Sequence, residues 1–283
     1  MSLSPYLQPQ KNTIVKPRVA LFVTCLADSM RPNVAFATVK LLEAAGCEVH
    51  VPTAQTCCGQ PAFNSGDRNN TRLIAQQTIN ALTGYDYIVG PSGSCIGMLH
   101  QYPDLFNEGS SDHIAAEALA RQAYEITSFL VDVMAFELAP STATARAATQ
   151  ITYHDSCAGL RELGIHQQPR KLLAQMPNIQ LKEMAEADTC CGFGGTFCIK
   201  YPDISNRMVE NKVANAEAGK AQMLVGGDLG CLMNMAGKLK RQGSDLQTRH
   251  IVELLADLLE QPALGEARNT PLRSATIDLA YEA

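Results

Sequence analysis

A pattern of cysteines occurs twice in the sequence at nearly the same spacing. In each half, a single cysteine is followed by a vicinal Cys-Cys-Gly triplet and then by another single cysteine. The eight positions are Cys25, Cys57, Cys58 and Cys95 in the first half and Cys157, Cys190, Cys191 and Cys231 in the second. Corresponding cysteines lie 132 to 136 residues apart. Such regular spacing indicates an internal duplication.

The segments around these cysteines repeat as well. Short apolar stretches, RVALFVT and TQITYHDS, precede the first cysteine of each half, and YDYIVG and AQMLVG precede the last. Each of the last two runs into a predicted glycine-rich turn that carries Cys95 or Cys231. These stretches predict β-strands, and helical apolar spacing predicts helices over 34–46, 69–84 and 202–219. Alternating strands and helices are typical of parallel sheets with right-handed crossovers. We therefore predict an α/β fold of two pseudo-symmetric duplicated units, each a mostly parallel sheet flanked by helices.

The duplication also sets the expected domain boundaries. A small, polar, proline-containing stretch between the two halves is typical of a linker. The predicted segments are a first cysteine-rich unit over 18–136, a linker over 137–150, a second cysteine-rich unit over 151–262 and a C-terminal tail over 263–283. Ligands of parallel α/β sheets bind beyond the carboxyl ends of the strands. The single cysteines of both halves are expected at those ends.

The composition narrows the class of protein. The chain has 283 residues, a net charge of −5 and a pI near 5.7, which argues against nucleic-acid binding. No apolar run reaches the length of a membrane span, and the polar start MSLSPYLQPQKNTIVKPR lacks the apolar core of a signal peptide. We therefore expect a cytoplasmic protein with no nucleic-acid partner and no membrane span. In that reducing compartment, ten cysteines are not expected to form structural disulfides.

Four thiols in each half suit a soft metal centre. Thiolates bind zinc, copper(I) and iron–sulfur clusters, and four of them complete a site for zinc or for a cluster. Structural zinc sites usually draw on C-x2–4-C pairs, whereas this sequence has no C-x-x-C. Adjacent cysteines diverge, which favours a cluster over a single ion. A zinc-binding scaffold and a thiol–disulfide redox protein remain as alternatives.

Several longer motifs carry a resemblance to a known family. They are CCGQPAFNSGD, GPSGSC, YHDSC, CCGFGGTF, KYPDIS and GDLGCLMN. The chain resembles, over roughly residues 18–260, the cysteine-rich CCG-domain family. That family includes the cysteine-rich subunit of heterodisulfide reductase and the iron–sulfur subunit of glycolate oxidase.

The resemblance implies an iron–sulfur protein that relays electrons during the oxidation of L-lactate to pyruvate. Such a protein would be an oxidoreductase subunit that acts only with partner subunits. Those partners would be sister proteins of a lactate utilization system, including another iron–sulfur protein. The eight repeated cysteines would then hold one or two clusters, of the [4Fe-4S] type.

The sequence departs from the family pattern at the last cysteine of each half. The full pattern ends in C-x-x-C, but Met98 and Asn234 replace the second of these cysteines. The five-cysteine sites that hold noncubane clusters in heterodisulfide reductase are therefore not reproduced. Four cysteines per half are still enough for a conventional cluster.

Other residues near the motifs are weaker candidates. Cys47 has no counterpart in the second half and is expected in the core. Cys198 lies seven residues beyond Cys191 and is a possible substitute ligand. His154 precedes Cys157 by three residues. A histidine at the rim of the site could donate to a cluster sulfur or take a proton, but Phe22 stands at the equivalent first-half position, and the sequence does not decide whether His154 takes part. No catalytic residue for a 2-hydroxy acid is assigned.

Overall fold

The structure is a computed structural model that describes residues 16–138 and 148–266. Most of the predicted linker and nearly all of the predicted tail lie outside the described residues. The strands are β1 (Arg18–Leu21), β2 (Glu48–His50), β3 (Tyr87–Gly90), β4 (Ala123–Glu125), β5 (Thr149–His154), β6 (Ile179–Leu181), β7 (Met223–Gly226) and β8 (Gln247–His250).

Helices follow nearly every strand. The helices of the first half are α1 (Cys25–Met30), α2 (Pro32–Ala44), α3 (Gln60–Asn64), α4 (Arg68–Leu82), α5 (Gly93–His100), α6 (Ser111–Gln122) and α7 (Ile126–Ser128). Those of the second half are α8 (Cys157–Glu162), α9 (Gln167–Ala174), α10 (Phe197–Lys200), α11 (Pro202–Ala218), α12 (Leu229–Gln242) and α13 (Ile251–Leu255). A 3₁₀ turn spans Pro103–Leu105, and a π-helical turn spans Phe129–Val133.

The three helices predicted from apolar spacing are present as α2, α4 and α11, with bounds within two residues of those expected. Each starts where local chemistry favours a helix. Pro32 and Pro202 occupy first-turn positions, where proline costs no hydrogen bond. The Asp67 side chain caps α4 by accepting the Asn70 backbone N–H at 3.1 Å.

Two four-stranded sheets have the same strand order. The first runs β2-β1-β3-β4 and the second β6-β5-β7-β8. Every strand pair is parallel, with Ala20 opposite Ile88 in the first sheet and Tyr153 opposite Val225 in the second. The prediction of an α/β fold with two similar units of parallel sheet flanked by helices is therefore confirmed.

The two halves share one hydrophobic core. A single cluster of buried apolar side chains joins Leu41 and Phe129 of the first half to Val225 and Ile251 of the second. Two further clusters lie within one half each. Apolar burial therefore holds the halves against each other, because separating them would expose this shared core to water.

A buried ion pair also crosses between the halves. The Arg31 guanidinium donates from Nε to Glu253 Oε1 at 2.8 Å. Glu253 accepts the His250 backbone N–H through its other oxygen at 3.1 Å and so completes the cap of α13. The Glu253 side chain is fully buried, and Arg31 of the other half is its charged partner.

Within residues 16–138 and 148–266, no helix has the length and apolar character that a bilayer span requires.

Candidate metal centres

The strand order explains why cysteines far apart in sequence meet. In the first sheet, β2, β1 and β3 are neighbours, and each is followed by cysteines of the repeated pattern. Because the strands are parallel, their carboxyl ends lie at the same edge of the sheet. The second sheet repeats this arrangement with β6, β5 and β7. Each half therefore gathers four thiols at one sheet edge.

The first thiol group consists of Cys25, Cys57, Cys58 and Cys95. The sulfur atoms of Cys25 and Cys57 are 3.9 Å apart. Cys57 also interacts with Cys58, and Cys58 with Cys95, so each thiol affects the pKa of the next one in the group. Cys25 is exposed, whereas Cys58 is buried.

The second thiol group consists of Cys157, Cys190, Cys191 and Cys231. Its interactions follow the same order, from Cys157 to Cys190, then to Cys191 and Cys231. This group is more enclosed, since Cys191 and Cys231 are both buried and Cys157 is only partly exposed. All ten cysteines are free thiols.

The last cysteine of each group lies in a helix. The sequence predicts a glycine-rich turn for Cys95 and Cys231, but both are the third residue of a helix, α5 and α12. Capping residues explain the difference. Ser92 and Asp228, each three residues earlier, accept backbone N–H groups of the first turn and so start the helix despite the glycines.

A thiolate is stabilised in each group by its neighbours. Hydrogen bonds from adjacent thiols hold the pKa of Cys57 and Cys190 well below the usual range. The backbone N–H groups of Gly59 and Gly192 also donate to these two sulfurs, each at 3.4 Å. The donor thiols have raised pKa values, because donation retains their protons and burial disfavours charge; they are Cys25, Cys58, Cys157 and Cys191.

The glycine of each Cys-Cys-Gly triplet has a geometric role. Gly59 and Gly192 have φ values of +84° and +82°, in the left-handed region that favours glycine. A Cβ added to Gly192 would lie 2.7 Å from the carbonyl oxygen of Ser205. The turn that directs both cysteines of the second triplet towards the thiol group therefore requires glycine.

Asp228 connects the two thiol groups. Its Oδ1 accepts the Gly230 N–H at 3.2 Å in the first turn of α12. Its Oδ2 accepts the Ser94 N–H at 3.0 Å and the Ser92 hydroxyl at 3.2 Å, both at the start of α5 in the other half. One buried carboxylate thus fixes the helices that carry Cys95 and Cys231.

His154 is buried and does not lie at a solvent-exposed rim of the site. It is the last residue of β5, its side chain is 1% exposed, and its ligand atom lies within 4.8 Å of the sulfurs of Cys191 and Cys231. Neither Nδ1 nor Nε2 has a hydrogen-bond partner among the described residues. Burial lowers its pKa to about 3, so the ring is neutral.

The remaining candidates lie outside both groups. Cys47 is buried in the shared core, as predicted, and burial raises its pKa to about 11. Cys198 donates its thiol proton to the Gly195 carbonyl at 3.3 Å and is in α10. Met98 is buried among apolar side chains of the first half. Asn234 donates from Nδ2 to the Cys191 carbonyl at 2.9 Å and so braces the second triplet.

The thiol groups suit a metal-binding centre. A zinc ion with bonds of ~2.3 Å requires four sulfurs about 3.8 Å from one another. Among the described residues, His154, Cys191 and Cys231 form the one set of three whose ligand atoms all lie within 4.8 Å of each other. The four thiols of each group are soft donors, which suit a metal ion or an iron–sulfur cluster.

Sequence reasoning missed three residues around these groups. Asp228 aligns with Ser92 in the repeat, and a capping signal three residues before each last cysteine could have identified it. Lys212 donates to the carbonyls of Glu186 and Ala187 at 2.6 and 2.7 Å, beneath the second group. Glu125 is a buried carboxyl between the halves, and no local pattern indicates it.

Comparison with known proteins agrees with this architecture. The model of the CCG family, described as a cysteine-rich domain, matches residues 19–100 and 151–236. A solved structure of a hypothetical protein from Helicobacter pylori shares the fold with a TM-score of 0.58 at 10% identity, over 94% of this chain and 52% of that one.

Relatives with higher identity match this chain over nearly the whole of their own length. Lactate utilization protein A of Oceanobacillus iheyensis is 46% identical over 84% of this chain and 96% of the relative. The protein of the same name from an Exiguobacterium species is 45% identical over 87% and 99%. Lactate utilization protein A 2 of Bacillus cereus is 42% identical over 84% and 98%. This chain therefore belongs to the CCG cysteine-rich domain family, in the group of proteins called lactate utilization protein A.

Proposed function

We propose that the protein is an iron–sulfur electron-transfer subunit of a system that oxidises L-lactate or a related 2-hydroxy acid. The relatives support the metabolic part, because they carry the name lactate utilization protein A and match nearly the whole chain. The two groups of four thiols support the redox part. They are the single observation that carries the proposal, since eight soft donors meet at two sheet edges.

The eight cysteines are the proposed ligands. Each group would hold one [4Fe-4S] cluster, which when bound accepts one electron and passes it on. The chain supplies thiolates for this purpose. Cys57 and Cys190 give up their protons most readily, and the N–H groups of Gly59 and Gly192 stabilise the resulting charge. The other thiols lose their protons on binding.

Partner proteins would complete the reaction. The proposed subunit carries electrons and leaves removal of hydrogen from the hydroxy acid to a sister protein of the same system. Another iron–sulfur protein is the proposed neighbour in the chain of electron transfer. Within this subunit, the proposed units are residues 18–136 and 151–262, joined by a linker over 137–150 and followed by a tail over 263–283.

The proposal is tested by anaerobic purification, followed by analysis of iron, acid-labile sulfide and zinc with a visible spectrum. We expect brown protein with iron and sulfide in equal amounts. Cys58→Ser and Cys191→Ser should each remove the iron of one group. Cys198→Ser is the matched control, because Cys198 lies outside both groups, and it should keep the wild-type spectrum.

Each alternative gives a different result. A colourless protein with stoichiometric zinc would replace the proposal with a zinc scaffold. If Cys58→Ser abolished growth on lactate while the iron content stayed unchanged, thiol–disulfide chemistry would be the better account. The short distance of 3.9 Å between the Cys25 and Cys57 sulfurs makes that outcome chemically reasonable.

A further inference from the structure

His154 combines complete burial with two unpaired ring nitrogens. Its side chain is 1% exposed, and both Nδ1 and Nε2 lack a hydrogen-bond partner among the described residues. A neutral imidazole offers one N–H donor and one lone pair. Proteins seldom leave such groups unsatisfied in the interior, and an exception calls for an unfilled role such as an ion.

A second buried histidine, His250, shows that burial alone does not leave the ring nitrogens of a histidine without partners in this chain. His250 is 0% exposed, but both of its nitrogens are engaged. Its Nε2 lies 3.0 Å from the Pro91 carbonyl oxygen, and its Nδ1 accepts the Val252 backbone N–H at 3.3 Å. His250 thus serves as a structural link, whereas His154 has no such contact.

The free nitrogen of His154 faces the second thiol group. Its ligand atom lies within 4.8 Å of the sulfurs of both Cys191 and Cys231. The backbone of His154 is fixed in β5 opposite Gly226 of β7, so the ring is held on a rigid element. Neutral imidazole is the commonest metal ligand among side chains, and the neighbouring thiols are soft donors.

We propose that one ring nitrogen of His154 is a ligand of the metal group held by the second thiol group. This proposal rests on the proposed function, in that it requires a metal group at these cysteines. Binding through nitrogen would satisfy one of the two orphaned atoms of the ring. Because a [4Fe-4S] cluster or a zinc ion has four positions for protein ligands, the imidazole takes one that a thiolate of the second group would otherwise fill.

The first thiol group has no equivalent donor. Phe22 occupies the position three residues before Cys25, as His154 does before Cys157. Its N–H donates to the Val89 carbonyl at 2.8 Å, and its side chain is 0% exposed in the apolar cluster of the first half. The two groups are therefore chemically unequal, with all-thiolate donors in one and a mixed set in the other.

The test uses the full-length protein, labelled with ¹⁵N-histidine. The protein is prepared anaerobically with its metal group bound and is then reduced. Iron, sulfide and zinc are measured first. Electron–nuclear double resonance then detects nitrogen bound to the paramagnetic centre. We expect a strong coupling that changes between ¹⁴N- and ¹⁵N-histidine. It should disappear in His154→Phe, which copies the first-half residue, and persist in His113→Ala, a control on α6 of the first half.

The outcomes separate the two proposals. If iron and sulfide load but the wild type shows no histidine coupling, ligation by His154 is overturned and the proposed function stands. The wild-type spectrum decides this even if His154→Phe fails to fold. If zinc alone loads, X-ray absorption at the zinc edge decides, since a shell containing nitrogen supports the ligand and an all-sulfur shell overturns it. A protein that binds no metal overturns both proposals.

Discussion

Glu125 should make the stability of the protein depend on pH. This carboxyl is 3% exposed at the boundary between the halves. Its Oε2 accepts the N–H groups of Thr127 and Ser128 at 2.8 and 3.3 Å. Its Oε1 has no partner among the described residues, and a cavity of about 10 Å³, lined by Glu125 and Tyr153, adjoins it. That volume holds about one water molecule.

Burial is the main reason that the pKa of Glu125 rises from 4.5 to about 7, although the hydrogen bonds from Thr127 and Ser128 oppose the rise. The folded protein therefore keeps this proton between pH 4.5 and about 7, where the unfolded chain loses it. The stabilising contribution is fully present below pH 4.5 and is lost as the pH rises to about 7. A shift of this size corresponds to about 3 kcal/mol.

Glu125→Gln removes the ionisation and keeps an oxygen acceptor for Thr127 and Ser128. The variant and the wild type should have similar free energies of unfolding near pH 4.5. As the pH rises, the variant should become more stable than the wild type, with a difference in the free energy of unfolding of about 3 kcal/mol at pH 8. Urea denaturation of reduced, metal-free protein from pH 4.5 to 8 measures this difference.

Glu117→Gln is the control for that experiment, because its side chain is 44% exposed on α6 and the substitution reports the general effect of removing a carboxylate. A difference between Glu125→Gln and the wild type that stays constant across the pH range would refute the reasoning. So would a variant that is less stable than the wild type at pH 8.

Three further predictions concern stability, and the first two test the contact between the halves. Arg31→Met leaves the buried Glu253 carboxylate without its charged partner and should lower the free energy of unfolding, measured by urea denaturation, by ~3–5 kcal/mol. A loss below about 1 kcal/mol would contradict a buried ion pair. Gly93→Ala would bring a Cβ within 2.9 Å of the Gly159 Cα, and overpacking of this kind costs ~1–3 kcal/mol. Gly237→Ala, in the interior of α12, should instead raise the melting temperature, since alanine favours a helix by ~1 kcal/mol.

The local patterns of the sequence predict much of the fold. The spacing of the repeated cysteines predicts two similar units, and β-branched stretches between amphipathic segments predict their parallel strands. Helices α2, α4 and α11 follow from apolar spacing and proline or glycine boundaries, which act within a few residues. These features depend on neighbours in the sequence, so the sequence alone reveals them.

The structure also agrees with the sequence on which thiols meet. Cys25, Cys57 and Cys95 follow three strands that turn out to be adjacent in the sheet. A chain that alternates strands and helices has few possible topologies, and in each of them ligand sites lie at the carboxyl ends of strands. The repeat then predicts the same arrangement for the second group.

Only the tertiary structure reveals what joins the two units. The sequence predicts a turn at Cys95 and Cys231 because glycine disfavours helices, whereas the caps at Ser92 and Asp228 and the packing around them stabilise the first turns of α5 and α12. The hydrogen bond that Ser92 donates to Asp228 joins residues 136 positions apart. The spacing of residues along the chain does not indicate such a contact.

The same limit applies to His154. Its position before Cys157 indicates the site, but its distance from solvent and the absence of partners for its nitrogens among the described residues depend on elements packed around it from the rest of the second half. The sequence by itself thus determines which residues can bind a metal. Folding decides which of them are buried, since burial and hydrogen bonding depend on contacts between distant parts of the chain.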